Sequence, residues 1–174
     1  VNCRFGPDTT YQAVGYLLRG YTTPILGVST ANGWWYIQDP RQPGIYCFVS
    51  RTVTDTTGDI SALPPIATPL TRVINITVMV DLPDTVTPCV GGWPVTAGFD
   101  ATIETNGPAL VTYRWELSQG NVSGVIEKEF TAFGAQRVQE SQHIGAQGAY
   151  WVRLHVLSPN DLTTQTDYTV PCTP

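Results

Sequence analysis

Two stretches of this chain alternate with a period of two residues. In Val111-Thr-Tyr-Arg-Trp-Glu-Leu117, the residues Val111, Tyr113, Trp115 and Leu117 share one face, and Thr112, Arg114 and Glu116 share the other. In Tyr150-Trp-Val-Arg-Leu-His-Val-Leu157, Tyr150, Val152, Leu154 and Val156 fall on one side and Trp151, Arg153, His155 and Leu157 on the opposite one. Side chains related this way line the two faces of a strand, and no stretch of about ten residues offers the three-to-four spacing of an amphipathic helix. The composition points the same way. Only 13 % of the residues are charged, and Thr, Val, Gly, Pro and aromatics fill the space, side chains that suit a pleated surface and its turns. The chain is expected to be all-β.

The segment Asp55 to Thr71 reads DTTGDISALPPIATPLT. It has no alternation, and Pro64, Pro65 and Pro69 among short polar residues favour an extended, semi-rigid conformation. It is read as a linker (residues 55–71) between two domains, 1–54 and 72–174. In the first, short apolar stretches (Ala13 to Leu18, Thr22 to Val28, Trp34 to Ile37, Ile45 to Val49) alternate with turns at Phe5 to Asp8, Arg19-Gly20, Ala31-Asn32-Gly33 and Asp39 to Gly44. Asn-Gly tolerates the positive φ of a hairpin turn. Five short strands in so little chain suit a small barrel. In the second, turn clusters at 105–108, 118–123, 145–148 and 158–161 separate about seven strands, the number of a two-sheet sandwich with Trp115 at its centre.

Four cysteines permit three pairings. None forms a C-x-x-C unit, and His143 and His155 stand at no ligand spacing from any of them, which argues against zinc. Pairing Cys3 with Cys47 and Cys89 with Cys172 keeps each bridge inside one domain and closes one loop of roughly 45 residues and one of roughly 80, each worth about 4 kcal/mol at most in the chain-entropy account. Bridges of this kind belong to oxidising compartments; four buried free thiols are the alternative.

The stretches VNCRFGPDTTYQAVGYLLRG and NGWWYIQDPRQPGIYCFV resemble the bacterial SH3-like (SH3b) family over residues 1–54. Asn2, Arg4, Gly6, Pro7 and Tyr11 match its opening N-x-R-x-G-P-x-T-x-Y strand and turn, and Gly15, Leu17 and Gly20 match the hairpin that follows. Phe5 replaces a usual Ser, and Ile45-Tyr46-Cys47 stands where Gly-Trp-Val is typical. The resemblance implies an SH3-like barrel in which the strands of Cys3 and Cys47 approach each other, supporting that pairing, and a groove for cell-wall peptides or other short ligands. Residues 72–174 look like the immunoglobulin-like domains of bacterial surface proteins, through NGPALVTYRWELSQG and WVRLHVLSPN. Cys89 and Cys172 would clamp the end of such a sandwich rather than bridge its middle.

Several kinds of chemistry find no support. The net charge is −5 and the nine Lys and Arg are scattered, so no basic face exists to neutralise phosphates and nucleic acid is not an expected partner. No apolar run approaches the roughly 18 residues of a transmembrane segment. The chain begins at Val1 and is read as a mature or trimmed product, so the lack of a signal peptide says nothing against export. There is no G-x-S-x-G elbow, Ser141 and His143 merely lie near each other, and neither His has an orienting carboxylate close by in sequence. Glu127 and Glu129, with Glu104 and Glu116 on other strands, read as solvated sheet faces rather than a glycosidase pair. Asp55 and Asp59 lack the further oxygen ligands of a calcium loop and read as a linker turn. No catalytic residue, metal or cofactor is expected. Asn75 and Asn121 open formal glycosylation sequons.

What remains is an aromatic surface. Trp34 and Trp35 are neighbours on one strand, so only one can enter a small core; the other, with Tyr11, Tyr16 or Tyr46, is expected to form a partly exposed strip. The expected role is therefore a non-catalytic secreted or cell-surface one, structural, adhesive or recognising, with a cell-wall peptide or surface protein as partner. The rival is a self-assembling subunit of an extracellular filament or surface layer, its partners copies of itself joined at sheet edges.

Overall fold

The computed structural model describes residues 1–31, 33–82, 87–88 and 95–173. Among them the regular elements are strands, with two short 3-10 turns at Arg51–Val53 and Ser118–Gly120, and no helix is long and apolar enough to cross a membrane. The chain divides into two compact units, one of residues 1–71 with the turns 106–108 and 131–134, the other of 72–105, 109–130 and 135–174.

In the first unit, β1 (Asn2–Arg4), β2 (Ala13–Tyr16), β3 (Ile25–Ser29), β4 (Trp34–Gln38), β5 (Tyr46–Ser50) and β6 (Pro65–Ile66) form one sheet in the order β2-β1-β5-β4-β3-β6. Gly33, just before β4, takes φ +75°, a left-handed conformation that suits a tight turn. The β3-β4-β5 meander is antiparallel, with Trp35 opposite both Val28 and Val49 and Ile37 opposite Cys47. Cys3, Trp35, Ile37, Cys47 and Val49 form the core, with Val14, Leu17, Ile25, Val28 and Leu63 packed against it. A disulfide joins Cys3 to Cys47 across a Cα separation of 5.3 Å. Asp39, buried at the end of β4, accepts hydrogen bonds from the amides of Arg41 (2.9 Å) and Tyr16 (3.4 Å) and so ties the turn after β4 to β2.

The Pro-rich segment read as a linker is built into this unit. Pro65 and Ile66 run parallel to β3, opposite Val28 and Ser29, and the amides of Val28 and Thr30 donate to the carbonyls of Pro64 (2.9 Å) and Ile66 (3.0 Å). A two-residue edge strand carries no periodic signal, and an edge is where a sheet accepts proline.

In the second unit, β7 (Val73–Asp81), β9 (Val95–Thr105) and β12 (Gly134–Ile144) form one sheet in the order β12-β9-β7; β10 (Ala109–Leu117), β11 (Ile126–Phe130), β13 (Gly148–Ser158) and β14 (Leu162–Val170) form another in the order β11-β10-β13-β14. Inward residues of both sheets make a single core containing Phe99, Ile103, Val111, Trp115, Phe130, Val152 and Leu154. This is a β-sandwich. Trp115 is fully buried, its ring 6.2 Å from that of Phe99. Both alternating stretches keep their expected faces, with Val111, Tyr113, Trp115, Leu117, Tyr150, Val152, Leu154 and Val156 buried. A parallel pair of β8 (Thr87–Pro88) and β15 (Cys172–Thr173) sets Cys172 opposite Thr87. Cys89, and with it the proposed bridge to Cys172, lies outside the described residues.

Candidate functional site

Alternation along β4 decides what the first unit displays. Trp35 and Ile37 enter the core, so Trp34, Tyr36 and Gln38 must face outward. Opposite them on β5 stand Ser50, Phe48 and Tyr46. The Tyr36 ring stacks on that of Tyr46, with centroids 5.9 Å apart and planes 18° from parallel, and is tilted against Phe48 at 5.1 Å. Phe48 is buried beneath this group, Tyr36 and Trp34 are half-buried, and Tyr46 is 49 % exposed. Burial, and secondarily the Tyr46 phenol, push the Tyr36 hydroxyl above its ordinary value.

Tyr16 shares this outer face by parity. Cys3 points into the core, so Asn2 points away from it, and Tyr16 pairs with Asn2 at the sheet edge. It is 54 % exposed. Tyr11 is elsewhere, in the turn between β1 and β2, where its carbonyl accepts from Arg4 Nη1 at 2.7 Å. Its ring lies 6.4 Å from Phe5, and a Cβ on Gly6 would fall 2.6 Å from it. Tyr11 packs a turn, then, and Trp35 packs the core. The structure brings Tyr36 and Tyr46 together over the buried Phe48, with Trp34 on the same face of β4 and Tyr16 further along it. Tyr36 and Phe48 escaped the sequence reading, although each lies two residues from a named aromatic and shares its face by simple alternation.

The second unit carries a polar cluster on the outer face of β10 and β13. Glu116 accepts from His155 Nδ1 at 2.9 Å, Arg114 Nε at 2.9 Å and Arg153 Nη1 at 3.2 Å. The other ring nitrogen of His155 is 3.1 Å from Asp161, and Arg153 also donates to Gln165 at 2.9 Å and lies over Trp151 at 5.2 Å. The hydrogen bond from His155, then those and the charge of Arg114, hold the Glu116 carboxyl below its ordinary value. His155 thus has two carboxylates, Glu116 from a strand remote in sequence and Asp161 from the turn that follows its own strand. The cluster satisfies itself internally and presents no nucleophile beside a base. His143 meets Thr96 Oγ1 at 2.9 Å rather than Ser141, and Glu127 and Glu129 are exposed on β11. Among the described residues no three His, Cys, Asp or Glu gather as ligands for a metal ion.

No family model matches this chain, and no curated protein does. Among solved structures it is similar to the CARDB domain of the PF1109 protein from Pyrococcus furiosus, determined in complex with di-metal ions, at 14 % identity and a TM-score of 0.42, covering 57 % of this chain and 94 % of that one. It is also similar to a putative β-galactosidase from Bacteroides fragilis, at 15 % identity and a TM-score of 0.34, covering 52 % of this chain and 15 % of that one. At these values neither likeness bears on what this chain binds.

Proposed function

We propose that this chain is a non-catalytic protein of the cell exterior, an SH3-like unit followed by an immunoglobulin-like sandwich, and that the outer aromatic face of the first unit recognises a cell-wall peptide or a surface protein. The observation that carries this reading is the aromatic surface itself. Tyr46 exposes its ring, with half-buried Trp34 and Tyr36 beside it on the outer face of two neighbouring strands, and aromatic side chains of this kind commonly make binding hot spots. The Cys3–Cys47 disulfide supports the extracellular setting.

The test is co-sedimentation of the purified chain with isolated peptidoglycan. Trp34→Ala and Tyr46→Ala change outward residues, and each is expected to weaken pelleting by about one to two orders of magnitude if the ring is a hot spot. Undiminished pelleting of both variants, or no pelleting of the parent chain, would overturn the wall-peptide reading. Regular filaments of the parent chain in electron micrographs would replace it with self-assembly.

A further inference from the structure

The polar cluster on the outer face of β10 and β13 holds a histidine between two anions. His155 Nδ1 is 2.9 Å from Glu116 Oε1, and Nε2 is 3.1 Å from Asp161 Oδ1. A carboxylate only accepts, and a neutral imidazole has one N–H to give. Both contacts are therefore hydrogen bonds only when the ring carries both protons and its charge. The His155 side chain is 18 % exposed, so water only partly replaces a bond that the ring cannot make.

The two carboxylates are not equally able to let go. Glu116 is 13 % exposed and is also bonded by Arg114 Nε at 2.9 Å and Arg153 Nη1 at 3.2 Å. Asp161 is 80 % exposed, in the turn between β13 and β14. Arg114 Nη2 approaches His155 Nδ1 at 3.4 Å, but it already lies 2.8 Å from Glu116 Oε1. The single proton of a neutral ring therefore belongs on Nδ1, facing the anion that two arginines fix in place, and Nε2 then turns a lone pair toward Asp161. The other polar groups around the ring change little. Thr163 of β14 stands opposite His155, Gln165 joins Arg153 to Asp167 at 2.9 Å each, Glu127 of β11 lies across β10 opposite Thr112, and the residue before β7 is Arg72.

What Asp161 secures is the turn. Its neighbour Asn160 accepts from the Val73 amide at 2.8 Å and donates to the Val73 carbonyl at 3.2 Å. The turn that joins β13 to β14 in one sheet thus also holds the first residue of β7 in the other.

We propose that His155 is a pH-dependent latch, its imidazolium holding Asp161 and with it the turn that clasps Val73, its neutral form releasing them. The latch is tighter at mildly acidic pH than above neutrality, because the imidazolium makes both bonds and is lost as pH rises. It is built into the sandwich and is independent of the aromatic face.

The experiment compares the 15N-labelled chain at about pH 5 and about pH 8, which bracket the range in which an imidazole ordinarily changes charge. Ring nitrogen shifts report the protons on His155, identified in His143→Gln, where it is the sole histidine. The expected result is a proton on both nitrogens at the lower pH and on Nδ1 alone at the higher. Exchange of the Val73 amide, corrected for the intrinsic rate at each pH, reports the turn. Its protection should be about two- to fivefold lower at the higher pH, the scale of one exposed ion pair. Asp161→Asn alters an exposed position and offers an amide that meets either form of the ring, so Val73 protection in that variant should be the same at both pH values. A ring with one proton at the lower pH, a proton on Nε2 alone at the higher, unchanged Val73 protection in the parent chain, or an equal fall in Asp161→Asn would each overturn the proposal.

Discussion

Removing the Cys3–Cys47 bridge tests how much of the first unit's stability rests on one covalent link. The bridge spans a sequence separation of 44 residues, and closing such a loop in the unfolded chain is worth about 4 kcal/mol in the chain-entropy account. A unit of this length has a total stability on the order of 4–10 kcal/mol, so the loss takes a large share or all of it. Cys3→Ala/Cys47→Ala is the suitable variant, because both residues are fully buried among Trp35, Ile37 and Val49 and alanine leaves only a small void. Amide hydrogen exchange read by mass spectrometry reports on β1, β4 and β5 separately from β10 and β13. About 4 kcal/mol corresponds to roughly a thousandfold loss of protection, expected in β1, β4 and β5 only, since the bridge closes no loop in the sandwich. A loss below tenfold there, or an equal loss in β10 and β13, would refute the reasoning.

Gly27→Ala should detach β6 from β3, because the new Cβ would fall 2.5 Å from Ile66 Cγ1 and 2.8 Å from the backbone oxygen of Pro64; limited proteolysis within residues 55–66 should then be at least about tenfold faster, and unchanged cleavage would refute the packing argument. Glu116→Gln addresses acid stability. A carboxyl whose folded pKa is depressed adds stability that is full above its ordinary value of 4.5 and is lost as pH falls through the lower folded value. The parent sandwich should therefore lose urea resistance below about pH 4.5 more steeply than the variant, which starts weaker at pH 7; parallel pH profiles would refute the assignment.

The sequence made the strands legible wherever burial on one side imposed alternation. The faces of Val111 to Leu117 and Tyr150 to Leu157 could be written down because each stretch has a wet side and a dry side. Cys3–Cys47 was legible through the division into two domains and the resemblance that supported it, since four cysteines by themselves leave three pairings open. Segment 55–71 was misjudged in its packing, because β6 is two residues long and parallel to a strand far upstream, and neither property leaves a local mark. For the same reason Asp55 and Asp59 looked like an isolated turn; the residues that make them part of a cleft, Leu17, Ile25 and Trp35, come from elements distant in the chain. Glu116, the carboxylate that His155 meets across the sheet, was hidden similarly, because it comes from β10.

The register of β4 decides which of its two tryptophans is displayed and which is buried. A one-residue slip of β4 would put Trp34 into the core and Trp35 onto the surface, since every side chain changes face together. Two adjacent tryptophans make such a slip less costly in buried area than a polar neighbour would. Ile37, which a slip would turn outward while Gln38 turned inward, favours the observed register, and the strand pairing reinforces it. The antiparallel pairing of β4 with β5 sets Ile37 opposite Cys47, and the disulfide fastens Cys47 to β1. A β5 held in this way presents Val49 and Cys47 inward and Phe48 and Tyr46 outward, and β4 must match it to place Tyr36 against Tyr46 and Phe48. On this argument the bridge stabilises the fold and also helps specify which indole is displayed on the aromatic face and which is buried.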